Sequence, residues 1–335
     1  MSKSDKIIEK NLKKYTRKCP ELDNLYNYFA NLAINYIEGV SEVLPEKTQN
    51  QEYEKMDIRI TLELVREFLG SIDKKYLDIF NKALTDGTFD LFLPEDDLVE
   101  RPDYPITFPK PKANINIPIY NNIKDGSIIV HEFFHFLNDG EQYNVVAELF
   151  TEMISIYFEL RFAMFLIEKG YDSVNFSKIL YERIDDSYDA ANTLFGSSAV
   201  LDIYNKTGKI NLRNYIFINK FINTYKGKYK LIRETKKTRN ISHALNDFES
   251  DISYLFGTLI SIMAIEEPKI YDLKMKYINN NLNSFNIEDV LYNLDVKLEE
   301  YESWIGLCVD KLDKALENIY GENYCDSGAY GSRQN

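Results

Sequence analysis

Apolar residues recur with a helical period over most of this chain. Leu22, Leu25, Tyr26, Phe29, Leu32 and Ala33 stand three or four positions apart with polar residues between them, and a similar run covers 60–84. The texture changes at Asp86. The stretch 86–112, DGTFDLFLPEDDLVERPDYPITFPKPK, holds five of the nine prolines, so helices are expected to stop there. Short extended pieces are predicted at 104–108 and in ANINIPIY at 113–120, where Ile115, Ile117 and Ile119 alternate with their neighbours. Helix then returns. Asp125 or Ser127 is placed to cap a helix through IIVHEFFHFLND, and Asp139-Gly140 is placed to end it. Further helices are expected at about 142–169, closed by KGYD, and at about 173–189, 212–225, 241–266 and 287–320.

The chain therefore reads as mainly α with a small sheet at about 104–120. It has an N-terminal helical region, 1–85, and a second region, 86–335, carrying the sheet and the later helices, the two packed as one integrated unit. Composition agrees, because 14 glycines and 9 prolines in 335 residues are few for a turn-rich β architecture.

Charge and cysteine usage narrow the function. A net charge of −13 repels phosphate backbones, so no nucleic-acid partner is expected. The most basic stretch, KGKYKLIRETKKTR at 226–239, reads as a solvated segment balancing an acidic body. Cys19, Cys308 and Cys325 are too few and too scattered for a disulfide framework or a cysteine-based zinc site. The first residues, MSKSDKIIEKNLKKYTRK, lack the apolar run of a secretory signal. The most apolar long stretch, 153–167, is broken by Glu159 and Arg161, so no membrane span is expected. A cytoplasmic location follows as the expectation, although leaderless export would leave no mark in such a sequence.

The chemistry concentrates at HEFFH. Only three histidines occur, and two of them, His131 and His135, lie four apart with Glu132 between. On a helix, positions i and i+4 share a face, so both imidazoles point to one place, as two ligands of a tetrahedral Zn²⁺ would. Glu132 lies about 100° round the helix, beside such an ion and placed to take a proton from a metal-activated water. The competing reading is an aromatic core helix, since Phe133, Phe134 and Phe136 surround the motif; but two imidazoles and a carboxylate are costly to bury without partners. One Zn²⁺ ion is the expected cofactor. It needs a third protein ligand, and two residues qualify. Glu148 is brought towards His135 if a turn at Asp139-Gly140 sends the next helix back antiparallel. Glu141 serves only if the chain leaves the helix at Asn138, a residue that tolerates the left-handed conformation.

These residues resemble a gluzincin metallopeptidase, the group that includes thermolysin. They are most similar to the mostly helical oligopeptidases of the oligoendopeptidase F and thimet oligopeptidase family. The local similarity runs from Asn114 to about Glu152 through NINIPI, Asp125, IIV, HEFFH and AELFTE. It implies a zincin-like helical metallopeptidase in which Glu148 binds the metal and Glu152 accepts the outer N–H of a ligand histidine. It implies also that Asn114, Ile115, Asn116 and Ile117 form a sheet edge on which the substrate peptide lies as an added strand. A second similarity at 242–257, SHALNDFESDISYLFG, implies that His243 and Tyr254 stabilise the oxyanion. The chain departs from the family in having Phe134 where glycine is usual, in a shorter linker to the glutamate helix, and in Phe248 where a catalytic tyrosine is expected.

The function expected is zinc-dependent hydrolysis of peptide bonds, with Glu132 as general base and short peptides as substrates. Two alternatives stand beside it. One is a non-catalytic zincin fold that binds a peptide or protein partner. The other is a protease dedicated to a single protein target, such as a toxin or processing enzyme.

Overall fold

The computed structural model describes residues 26–45, 52–94, 106–107, 115–138, 145–207 and 248–321. The expected helix at 212–225, the basic stretch 226–239, Glu141 and the Asp139-Gly140 turn lie outside the described residues. So do Asn114 and His243.

Each helix forms where the apolar spacing fits the 3.6-residue period. In α1 (Tyr26–Ser41), Phe29, Leu32, Ala33, Tyr36, Ile37 and Val40 are buried, a single stripe that packs on two later helices. The run expected over 60–84 is two helices, α2 (Ile58–Ile72) and α3 (Lys74–Thr85). Asp73 divides them: its backbone is extended (φ −161°, ψ 128°), it ends α2, and its carboxylate accepts the Lys75 N–H at 2.8 Å to start α3.

The sheet has three strands, β1 (Phe89–Phe92), β2 (Ile106–Thr107) and β3 (Ile115–Pro118), in the order β1-β3-β2. β1 pairs with β3 in parallel, Phe89 opposite Ile115, and β2 pairs with it antiparallel, Ile106 opposite Asn116. The alternation of isoleucines locates β3, but the expected edge position is corrected. β3 is the central strand, with Ile115 and Ile117 fully buried. β1 escaped the sequence reading because FDLF carries only half the apolar alternation of a buried strand.

β3 leads directly into α4 (Lys124–Asn138). Asn121 takes the left-handed conformation (φ 53°), and the buried carboxylate of Asp125 accepts the N–H groups of Tyr120 (3.1 Å) and Asn122 (3.1 Å). That tie fixes the helix start against the sheet. Asp125 sits in the first turn and fastens the preceding loop, so it acts from inside the helix and not as its cap residue.

α5 (Val145–Glu168) is apolar all round, with Met153, Ile154, Ile156, Tyr157, Phe158 and Leu160 all buried. Such a helix belongs at the centre of the molecule. It packs against α4, α6 (Ser173–Thr207) and α7 (Phe248–Ala264). Phe134 of α4 stacks on Phe158 of α5, with ring centroids 3.9 Å apart and planes within 8°. Two glycines allow the close approach. A Cβ on Gly126 would lie 2.5 Å from a ring carbon of Phe162, and one on Gly257 would lie 3.0 Å from the backbone N and Cα of Met153.

The remaining helices are α8 (Pro268–Asn281), α9 (Ile287–Leu294) and α10 (Tyr301–Tyr320). α8 begins with proline at its first position; it buries Met275 and Ile278 and exposes Ile270, Leu273 and Tyr277. The run expected over 287–320 is interrupted at Asp295, whose left-handed φ of 57° ends α9. Buried residues from all the described helices and the sheet form one continuous core. Among the described residues, no helix is long and apolar enough to cross a membrane.

Candidate metal centre

α4 and α5 run antiparallel at the motif, as their partners show: His131 meets Glu159, while His135, one turn on, meets Glu152, about two turns back. Both imidazoles turn Nε2 towards the same point, 2.9 Å apart. The Glu152 carboxylate joins them, with Oε1 3.3 Å from His135 Nε2 and Oε2 3.5 Å from His131 Nε2. Among the described residues these three side chains form the group whose donor atoms all lie close enough to ligate one cation. Tetrahedral coordination with bonds of about 2.0–2.1 Å sets its ligand atoms about 3.3 Å apart. The triangle of 2.9, 3.3 and 3.5 Å matches that spacing.

The hydrogen bonds around the triangle fix its protonation. His131 Nδ1 lies 2.9 Å from Glu159 Oε2, and a carboxylate accepts, so Nδ1 donates to it and Nε2 faces the ligand point. Two Nε2 atoms 2.9 Å apart cannot both carry a hydrogen between them, and His135 Nε2 also has Glu152 Oε1 within 3.3 Å. Burial alone would push His135 down, but the charges of Glu152 and Glu132 overcome this and hold it at about 9. Burial likewise works to raise Glu152, and its two histidine neighbours and Arg183 bring it down to about 2. Glu152 Oε2 is buried and accepts no hydrogen bond. An acceptor in that state costs about 1–3 kcal/mol, and a divalent cation would satisfy it together with both imidazoles. The donor set therefore fits the metal.

A second layer holds the first. Glu159 is fully buried, and Arg183 donates from Nε to its Oε1 at 2.9 Å, while Nη1 reaches Asp186 at 3.2 Å. Desolvation acts to raise Glu159, but Arg183 and the His131 hydrogen bond keep it below the usual carboxylate range. Tyr254 of α7 borders the same space. Its hydroxyl is held well above the ordinary tyrosine value, first by the charge of Glu152, then by burial, with Asp186 and Glu132 adding to it. It therefore stays an O–H donor at neutral pH. The close approach of Gly257 to Met153 seats this helix beside Glu152.

The expected residues thus divide. His131 and His135 come together, Tyr254 lies within the electrostatic reach of Glu152, and Glu132, partly exposed, follows His131 on the helix. Glu152 offers a carboxylate to the histidines, where the resemblance gave that place to Glu148; the side chain of Glu148, on the first turn of α5, lies outside the described residues. The outer N–H of a histidine is taken by Glu159. Glu159 and Arg183 were not singled out from the sequence. The signal available was Glu159 itself, a charge inside the most apolar stretch and two turns from Glu152 on the same face.

Because His135 must lose its proton to ligate, zinc binding at pH 7 should release about one proton. Affinity should rise about tenfold per pH unit until it levels near pH 9, where His135 is already neutral in the metal-free protein. Calorimetry in buffers of different ionisation enthalpy measures the release, and an affinity independent of pH between 6.5 and 8.5 would contradict this assignment.

Compared with protein-family models, with curated proteins and with solved structures, the chain finds no match in any of the three.

Proposed function

We propose that this protein is a metal-dependent peptidase of the zincin kind, with one Zn²⁺ held by His131, His135 and Glu152. The observation that carries the reading is the buried, unpartnered Glu152 Oε2 facing the Nε2 atoms of His131 and His135. A structural zinc takes four protein ligands, whereas three leave a position open for chemistry. The cation would supply Lewis acidity to a water and to a substrate carbonyl.

The chain's own residues would do the rest. Glu159 fixes the tautomer of His131 and keeps its Nε2 directed at the ligand position. Glu132 accepts a proton from the attacking water and passes it to the departing amine. The Tyr254 hydroxyl, kept protonated by the surrounding carboxylates, donates to the oxygen on which charge develops. Substrate cannot add to an open edge along the first half of β3, since β1 and β2 occupy both of its sides there. In this reading the peptide would lie along α4 instead, beside His131 and His135.

The test is metal and turnover together. Protein purified with zinc should hold one equivalent and cleave members of a mixed peptide library. A chelator should abolish cleavage, and added zinc should restore it. Zinc retained at one equivalent with no peptide cleaved would sink the catalytic reading and favour a non-catalytic binding protein.

A further inference from the structure

A cavity of about 440 Å³ opens at the far end of the metal helix, between the start of α3, the end of α4 and the turn that follows α8. Asn138 connects it to the metal face. It stands seven residues after His131 and three after His135, so it continues the same side of α4. The helix rises about 4.5 Å over those last three residues, a little more than one residue of extended peptide.

Its hydrogen bonds run in one direction. Asn138 Nδ2 donates to the Phe134 carbonyl at 2.9 Å and to Asn279 Oδ1 at 2.6 Å. A carbonyl can only accept, so this amide orientation is fixed. Asn279 must then present its own Nδ2, which donates to the Tyr76 hydroxyl at 3.3 Å. Tyr76 is 1% exposed, and among the described residues its hydroxyl hydrogen has no acceptor. Tyr76 lines the cavity, and because its oxygen already accepts from Asn279 its hydrogen is free to donate to an acceptor placed there. Lys75, Asn280 and Asn283 place further donors at the exposed rim. Among the described residues, no Asp or Glu lines the cavity. Asp73, which caps α3, is already engaged by Lys276 at 2.6 Å.

We infer that this cavity is a subsite for a carboxylate of the peptide substrate, with the Tyr76 hydroxyl as its buried donor and Lys75 as its cation. The inference rests on the peptidase reading for its substrate, and it adds the class: peptides bearing a carboxylate about one or two residues from the cleaved bond. The carboxylate comes either from the peptide's own end or from an Asp or Glu side chain. The net charge of −13 disfavours such ligands in general, so a preference for them requires local donors.

The probe is a set of three pentapeptides: all-alanine with an amidated end, all-alanine with a free end, and an amidated peptide ending in glutamate. Binding to the zinc-loaded full chain carrying Glu132→Gln is measured by calorimetry. At least one carboxylate peptide should bind at least tenfold tighter than the amidated alanine peptide. Preference for the free end identifies a terminal carboxylate, and preference for the glutamate peptide identifies a side chain. Tyr76→Phe keeps the ring packing and removes only the hydroxyl; it should cut the preference at least threefold, as should Lys75→Met. Equal affinity for all three peptides would overturn the proposal. So would a preference that survives both substitutions, since that would place the carboxylate on the metal itself. Turnover of the same peptides by the unaltered chain separates the two readings. A Tyr76-dependent preference without any hydrolysis removes the peptidase and leaves the pocket, and hydrolysis without the preference does the reverse.

Discussion

Glu132→Gln is expected to lower peptide hydrolysis by about 10²–10⁴-fold, the usual contribution of a positioned general base, while zinc stays at one per chain. The substitution is nearly isosteric and removes only the basic oxygen. Glu132 is not among the three side chains that meet at the ligand point, so the metal should still be held. Its charge does bear on its neighbours, however. It helps to hold His135 at about 9 and to keep Tyr254 protonated. The variant should therefore release its His135 proton slightly more readily, but it also loses a negative charge beside a dication, so its affinity at pH 7 should stay close to or slightly below that of the unaltered chain. This combination, activity lost and metal retained, separates a base from a ligand. His135→Ala makes the contrast, because it should lose the metal and the activity together. Hydrolysis that persists in Glu132→Gln would mean that the proton goes elsewhere, and the mechanism would fail.

The sequence made the motif legible because its signal is local. Two histidines at i and i+4 share a face wherever the helix lies, so His131 and His135 could be paired before any packing was known. The third carboxylate depends on how α5 slides along α4, which no local pattern encodes. Glu148, Glu152 and Glu159 lie four and seven residues apart and so share one side of α5. Which of them meets the histidines is set by contacts such as the Phe134–Phe158 stack and the Phe162 ring against Gly126. The edge assignment of β3 failed for a related reason. Alternating isoleucines report that a strand is half or wholly buried, but its position within the sheet depends on FDLF at 89–92, a segment of weak pattern that the sheet recruits as β1. Breaks at Asp73 and Asp295 were likewise hidden, because the apolar period runs on across them while one residue leaves the helical conformation.

The largest effect on stability should come from the pair behind His131. Glu159 and Arg183 are removed from solvent together, with side chains only 1% and 15% exposed, and they are joined at 2.9 Å. Taking Glu159 away leaves the buried Arg183 with only the more exposed Asp186, at 3.2 Å, as its counterion, so the cost should approach the about 3–5 kcal/mol of breaking a buried pair. Glu159→Ala should pay this through Arg183, and should also leave the His131 Nδ1–H without an acceptor. Zinc affinity should then drop by about 10–100-fold, the usual consequence of losing the outer partner of a ligand histidine. Glu159→Gln preserves an acceptor oxygen for His131 but not the charge for Arg183, so it should unfold nearly as easily while keeping more of the affinity. Replacing both partners, Glu159→Met with Arg183→Met, removes the stranded charge and should recover most of the stability but none of the affinity. Denaturant melts and zinc titrations of these variants therefore divide the two roles of one carboxylate. If the double replacement proves as unstable as the single ones, the pair is not the cause. If Glu159→Ala binds zinc as tightly as the unaltered chain, Nδ1 of His131 is not held by this carboxylate, and the tautomer that directs Nε2 at the ligand point must be fixed by some other group.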